Sequence, residues 1–177
     1  MTREQLTQSI FKIAHLRGSF LLRSGQTSSE YFDKYRFEAQ PELLKAIGQQ
    51  MAPLIPKDTE VLAGLEMGGI PIAVSLSFAT GLPVVFVRKE AKAYGTCQLA
   101  EGLNVEGKKV CVVEDVITTG GQVAVSTGDL RKLGAKIDTV VCAIDRGDNP
   151  NKKLDEAGLK LFSLFKKSDF AHFSPTI

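Results

Sequence analysis

Val110-Cys111-Val112-Val113-Glu114-Asp115-Val116-Ile117-Thr118-Thr119-Gly120-Gly121-Gln122 is the stretch on which the fold turns. Its first four residues are apolar, the mark of a strand buried on both faces. Two carboxylates then stand side by side at the carboxyl end of that strand. Neighbours on a strand point to opposite faces, which gives the two acids different tasks. The turn Thr118 to Gln122 follows and opens a helix over Gln122 to Leu133, ended by Gly134. Such a loop suits a phosphate monoester. Successive N–H groups converge on the anion at a helix N-terminus, glycines permit close approach, and threonine hydroxyls add donors. A carboxylate beside a phosphate repels the ligand unless it faces sugar hydroxyls or a magnesium ion. The pairing therefore implies a ribose with a phosphate on one end. The plainer alternative is a strand–turn–helix junction whose acids cap the helix; the apolar run and both acids together weigh against it. The stretch is neither the Gly-x-Gly-x-x-Gly dinucleotide fingerprint nor a Lys-containing P-loop.

Working outward, strands and helices alternate. Strands are expected at Val61 to Leu65, Val84 to Val87, Val110 to Val113, Thr139 to Ile144 and Leu159 to Phe165. Helices are expected at Pro71 to Thr80, Gln122 to Leu133 and Asn151 to Ala157. This is an α/β pattern: a parallel sheet with helices on both faces, whose ligands bind at the carboxyl ends of the strands. Before it come a helix over Thr2 to Leu16 with a Thr-x-x-Gln start and a hairpin. In the hairpin Phe20-Leu21-Leu22 and Tyr31-Phe32-Asp33 flank the turn-rich run Ser24 to Ser29. A second helix follows Pro41. The chain reads as one domain, with residues 1–40 a small hood, 41–167 the ligand-binding core and 168–177 a tail.

The 177 residues suffice for a core without disulfide or metal staples. A net charge of +2 is too small to argue for nucleic acid. Met67 to Val87 carries no charge, but its glycines, prolines and serines fit a helix, a turn and a buried strand better than a membrane span. The three cysteines form no CxxC pair, so a zinc site is not expected. Cys111 and Cys142 sit in apolar runs, and Cys97 in a polar one as an exposed thiol. The odd count, with no secretory signal, favours a cytoplasmic protein.

On the residues 110–122 the chain resembles the type I phosphoribosyltransferases, whose signature has this apolar run, acid pair and Thr-rich glycine loop. The resemblance implies that Glu114 and Asp115 hold the ribose hydroxyls of 5-phosphoribosyl 1-diphosphate (PRPP). It also implies that Val116, Ile117, Thr118, Thr119, Gly120, Gly121 and Gln122 wrap its 5-phosphate. A second stretch, Val87-Arg88-Lys89-Glu90-Ala91-Lys92-Ala93-Tyr94-Gly95-Thr96, crowds three cations after a strand end. Taken alone it is either a solvated surface loop or a mobile source of charge for a departing diphosphate. It closely resembles the catalytic loop of orotate phosphoribosyltransferases, in which Arg-Lys-x-x-Lys contacts the diphosphate, partly across a dimer interface. That match makes Arg88, Lys89, Lys92 and Tyr94 PRPP contacts, with Lys92, Lys89 and Asp115 catalytic. Tyr94 stands where many bacterial members have His; a tyrosine donates a hydrogen bond but does not titrate near neutral pH.

Two further segments agree with that family. Phe20-Leu21-Leu22-Arg23-Ser24-Gly25, then Tyr31-Phe32-Asp33, matches its amino-terminal segment; this implies that Arg23 touches PRPP and that Tyr31 and Phe32 border the orotate ring. A hairpin packed on the core by its aromatics explains the same residues. Ala143-Ile144-Asp145-Arg146-Gly147 ends a strand, and the matching Arg in the family meets the polar edge of orotate; without the match Arg146 is equally an ion-pair partner. Thr118 is also implied at the orotate. The glycine turn Leu62 to Pro71 is expected under the diphosphate, with Gly68 where some members carry Lys. The resemblance implies transfer from PRPP to orotate, giving orotidine 5′-monophosphate in pyrimidine biosynthesis. It further implies Mg2+ held mainly by PRPP, a homodimer sharing the basic loop, and no nucleic acid or membrane partner. The alternatives are a phosphoribosyltransferase for another base and a non-catalytic PRPP-binding regulator. The tail matches nothing in the family, and His172 reads as surface or packing.

Overall fold

The computed structural model describes residues 1–22, 24–90, 98–147 and 151–173. Helix α1 (Arg3–Ala14) begins at Thr2, whose hydroxyl accepts from the Gln5 N–H while the Gln5 side chain accepts from the Thr2 N–H. This reciprocal cap satisfies two donors that the first turn would otherwise leave open. Strands β1 (His15–Leu21) and β2 (Thr27–Phe32) form an antiparallel hairpin that is a separate two-stranded sheet. Helix α2 (Lys34–Glu38) follows, with Asp33 accepting from the Tyr35 N–H, and then α3 (Pro41–Met51), with proline in its first turn.

The core then unrolls as β3 (Val61–Leu65), α4 (Gly69–Thr80), β4 (Val84–Val87), β5 (Ala100–Glu101), β6 (Lys109–Ile117), α5 (Gly121–Lys132), β7 (Lys136–Asp145), α6 (Lys152–Glu156) and β8 (Lys160–Lys166). A short 3-10 helix, Lys167–Phe173, closes the described chain. The six-stranded sheet has the order β5-β4-β3-β6-β7-β8. All neighbours are parallel except β5, which lies antiparallel on the β4 edge. The five parallel strands thus run second, first, third, fourth, fifth in chain order. That order reverses between β3 and β6, and the crevice beyond their carboxyl ends is where open α/β sheets take ligands.

Each face of the sheet has its own apolar layer. Leu6, Ile10, Phe37, Ile47, Ile72 and Leu76 from α1 to α4 pack on Leu62, Cys111, Val113 and Val141. Val123 and Leu130 of α5 and Leu154 of α6 pack on Val61, Ala63, Val110, Val112 and Val140. Truncating one such fully buried Leu or Ile to Ala costs about 2–5 kcal/mol, so these layers hold the switch-point crevice open and fixed.

Several elements depart from the sequence expectations. The strand expected to end at Val113 runs on to Ile117, so both acids lie inside it. Thr27 to Ser29, expected in the hairpin turn, belong to β2, with Thr27 opposite Leu21 and Ser28 opposite Phe20 of β1. The five-residue α2 was not expected, and neither was β5 within the polar segment before β6. No helix among the described residues is long and apolar enough to cross a membrane.

Candidate active site

At the carboxyl end of β6 the side-chain alternation slips. Val110 and Val112 face the α5 layer, Cys111 and Val113 the α3–α4 layer, but Val116 packs on the α3–α4 side and Ile117 on the α5 side. The slip falls across Glu114 and Asp115, which explains why they are not simply back to back as strict alternation predicts. Glu114 Oε1 accepts the Asp115 N–H at 3.1 Å. Glu114 is partly exposed, whereas Asp115 has no exposed surface. Asp115 Oδ1 accepts the Val116 N–H, and Lys34 Nζ of α2 stands 2.6 Å from Asp115 Oδ2 as an ion pair. Glu38 of α2, only 7% exposed, completes the cluster.

Three carboxyl groups and one ammonium in so little water cannot all behave as in solution. Burial, then the hydrogen bond to Asp115, pushes Glu114 well up. The same two causes push Glu38 up to about 9. Burial also raises Asp115, but hydrogen bonds from Glu114, Glu38 and Lys34 outweigh it and hold Asp115 below the usual carboxylate range. Burial pulls the Lys34 ammonium down, and its contact with Asp115 more than reverses this. One firm carboxylate, Asp115, is therefore surrounded by protonated neighbours and one cation.

The glycine loop runs from here into α5. Gly120 takes φ +67, and a Cβ there would come 2.7 Å from Leu154 Cγ, so only glycine fits. No side chain caps the first turn of α5, which leaves its N–H groups facing the crevice for an anion. Thr118, Thr119 and Gln122 are exposed around it, and Ile117 and Gly120 are buried beneath. Lys153 Nζ reaches from α6 to within 3.2 Å of where a Gly121 Cβ would stand, a cation that sequence reading missed.

Arg88 and Lys89 leave the end of β4 beside the β3 turn. The Arg88 N–H donates to the Leu99 carbonyl, and the Lys89 N–H donates to Glu66 Oε1. The rest of the basic loop, with Lys92, Tyr94 and Cys97, lies outside the described residues, as does Arg23. Gly68 lies against the Asp115 carboxylate so closely that any Cβ would overlap it. The glycine expected where relatives carry Lys therefore borders the acid pair.

Tyr31, Phe32 and Arg146 line one cavity of about 330 Å³. The Arg146 guanidinium lies 5.5 Å from the Phe32 ring centroid, and the Arg146 N–H donates to the Ile117 carbonyl at 2.8 Å. This last bond sets the cavity rim on the strand that carries the acids. Phe11, His15, Lys167 and Phe170 also line the cavity and were not foreseen as site residues. Phe170 meets Phe32 edge-on at 5.9 Å and Phe165 at 5.8 Å, so Phe170, in the tail expected to match nothing in the family, is part of the cavity wall, while His172 is exposed. For Lys34 and Glu38 there was a signal: Asp33 followed by residues at i and i+4 reads as an N-capped turn with both on one face.

Comparison with known proteins agrees with this geometry. The family described as phosphoribosyl transferase domain matches residues 36–173. An orotate phosphoribosyltransferase of Nocardioides sp. is 49% identical over 93% of this chain and 92% of its own length. The chain belongs to the orotate phosphoribosyltransferase family. A second member, from Methanocella arvoryzae, is 44% identical over 89% of this chain and 90% of its own. The family fold is also met in the crystal structure of Mycobacterium tuberculosis orotate phosphoribosyltransferase in complex with PRPP, with TM-score 0.80 and 28% identity over 94% of this chain and 97% of that one.

Proposed function

We infer that this chain transfers the 5-phosphoribosyl group of PRPP to orotate, giving orotidine 5′-monophosphate and diphosphate. The observation that carries the reading is the shared border at Arg146. Its N–H is bonded to Ile117 of the acid-bearing strand, while its guanidinium covers the Phe32 ring in the adjoining cavity. A flat anion in that cavity would lie between aromatic faces with a cation at its polar edge. A ribose phosphate on the glycine loop would bring its anomeric carbon to the same border.

In the transfer, a ring nitrogen of orotate gives up its proton to solvent and bonds to the anomeric carbon as the carbon–oxygen bond to diphosphate breaks, and the electron pair of that bond leaves with diphosphate. Glu114 and Asp115 hold the ribose, and the Asp115 carboxylate favours the positive charge that develops on it. The segment from Val116 to Gln122 wraps the 5-phosphate, the N–H groups past Ile117 facing it, since the Val116 N–H is already given to Asp115. Arg88, Lys89 and Lys92, with Arg23 and Tyr94 as further PRPP contacts, meet the charge that grows on the leaving group. Tyr31, Phe32, Thr118 and Arg146 orient the base. Magnesium would be held chiefly by PRPP oxygens and would neutralise diphosphate charge; among the described residues no group of three or more His, Cys, Asp or Glu is placed to bind a metal ion. We further propose a cytoplasmic homodimer in which the basic loop serves the partner's site.

Orotate depletion in the presence of PRPP, with and without magnesium, tests the reading. Adenine, hypoxanthine and uracil are run as rival acceptors. Depletion of orotate alone, dependent on magnesium, is expected. Turnover of a rival base would move the chain to another specificity, and PRPP binding without turnover of any base would make it a regulator.

A further inference from the structure

The Asp115 carboxylate is oriented by one hydrogen bond and one ion pair, and beyond that ion pair its Oδ2 has no hydrogen-bond partner among the described residues. Val116 N–H occupies Oδ1 and Lys34 Nζ, at 2.6 Å, occupies Oδ2. Gly68 lies against the same carboxylate, and Asp115 has no exposed surface. Glu114, anchored by the Asp115 N–H, is the member of the pair with exposed surface. Lys34 itself belongs to another part of the molecule: it opens α2, two residues after the cavity-lining Phe32. One ion pair therefore ties the base-side hairpin to the sugar-side strand.

We propose that Lys34 is a positioning residue for phosphoribosyl transfer, fixing Asp115 and, through it, the Glu114 carboxylate and the Val116 amide in the arrangement that receives the ribose. The proposal rests on the function inferred above. Lys34 never touches the reacting atoms; it acts by denying Asp115 other rotamers and by holding it as an anion. Among the described residues, the charged or titratable groups around Asp115 are Lys34 and Glu38 from α2, Glu114 from β6 and the buried Cys142 thiol from β7. Lys34 is the one cation of this set. Removing it leaves Asp115 among acids, and breaking one partner of a buried pair is a severe change.

The test compares the wild-type chain with Lys34→Met and Lys34→Arg by thermal melting and by the dependence of kcat and of kcat/KM for PRPP on pH. For Lys34→Met we expect kcat/KM for PRPP to fall about tenfold or more. The acid limb of its pH profile should move upward by about one unit, because Asp115 loses the cation that keeps it ionised. Lys34→Arg should restore most of both. A Lys34→Met protein that melts lower yet keeps the wild-type pH profile and constants would overturn the proposal and leave the inferred activity standing. Absence of turnover by the wild-type chain would instead overturn the inferred activity and this role with it. Should Lys34→Met fail to fold, Lys34→Gln, which keeps the stem and a donor but no charge, is read by the same profile and decides in the same way.

Discussion

The sugar-phosphate side of the crevice is centred on one continuous run of chain, Glu114 to Gln122, with Lys34, Glu38, Gly68 and Lys153 around it, whereas the base side is assembled from α1, the hairpin, the end of β7 and the terminal 3-10 helix. The first side obtains its chemistry from backbone: N–H groups at a helix start, a left-handed glycine and a strand that slips phase. The second obtains it from side chains packed on one another, with Phe32 touching Phe37 and Phe170, and Tyr31 stacked on Phe20 at 5.5 Å. Grip on a phosphate needs a local shape that few residues can make. Grip on a ring needs walls, and walls come from wherever the fold brings apolar surface together. The two sides therefore answer differently to mutation.

The largest effect is expected on the diphosphate. Lys89→Ala and Lys92→Ala should each lower kcat by more than tenfold, the usual scale for lost leaving-group stabilisation. Unchanged turnover in both proteins, measured at saturating substrates, would remove the basic loop from the mechanism. Next comes Arg146→Ala, which should raise KM for orotate by about tenfold or more, in line with roughly 1.5–3 kcal/mol for a hydrogen bond to a charged group. Calorimetric affinity for PRPP should stay within about twofold; an equal loss of both ligands would show that the division between the sides is false. Phe170→Ala should be milder. Losing two edge-on ring contacts, each about 0.5–1.5 kcal/mol, should lower the melting temperature by several degrees and raise KM for orotate by about threefold, with PRPP affinity again the control.

The smallest effect is expected from protons on the sugar side. Glu38 and Glu114 keep their protons in the fold to well above the pH at which the unfolded chain loses them. Their contribution to stability is full at acid pH and is lost as pH rises toward about 9 for Glu38. Asp115 has the opposite sign, and its contribution is lost only as pH falls through the depressed value. Melting temperature should thus decline between about pH 6 and about pH 9. Glu38→Gln, which mimics the protonated acid, should decline less, by about a few degrees. Parallel curves for the two proteins would mean that Glu38 is ionised in the fold.

How much was legible in advance follows the same division. The run from Val110 to Gln122 could be read because its signals are local: apolar residues for a buried strand, glycines and threonines for the turn, and then a helix. That the sheet is parallel followed from solid apolar strands separated by helices, whereas its strand order and the antiparallel β5 did not. The hairpin was visible but its register was not, since Thr27 to Ser29 carry turn-forming side chains and are held as strand by pairing with β1. Lys34 and Glu38 were not singled out: the local pattern places them on one face of a capped turn, but nothing near them in sequence shows that this face folds down onto Asp115. Phe170 could not be assigned for the same reason: its partners Phe32 and Phe165 come from β2 and β8.

Arg3 near the start of the chain donates to Asp169 at 2.9 Å and to the Leu164 carbonyl at 2.9 Å, and Phe11 lies 6.0 Å from Phe173. The opening helix and the closing turn are in this way stitched into a single wall of the base cavity. Changes in α1 or in the 3-10 helix would therefore press on acceptor choice before they disturbed the grip on the activated sugar. By the same token, exchanging these two elements together offers a route to new acceptors that leaves the central sheet untouched.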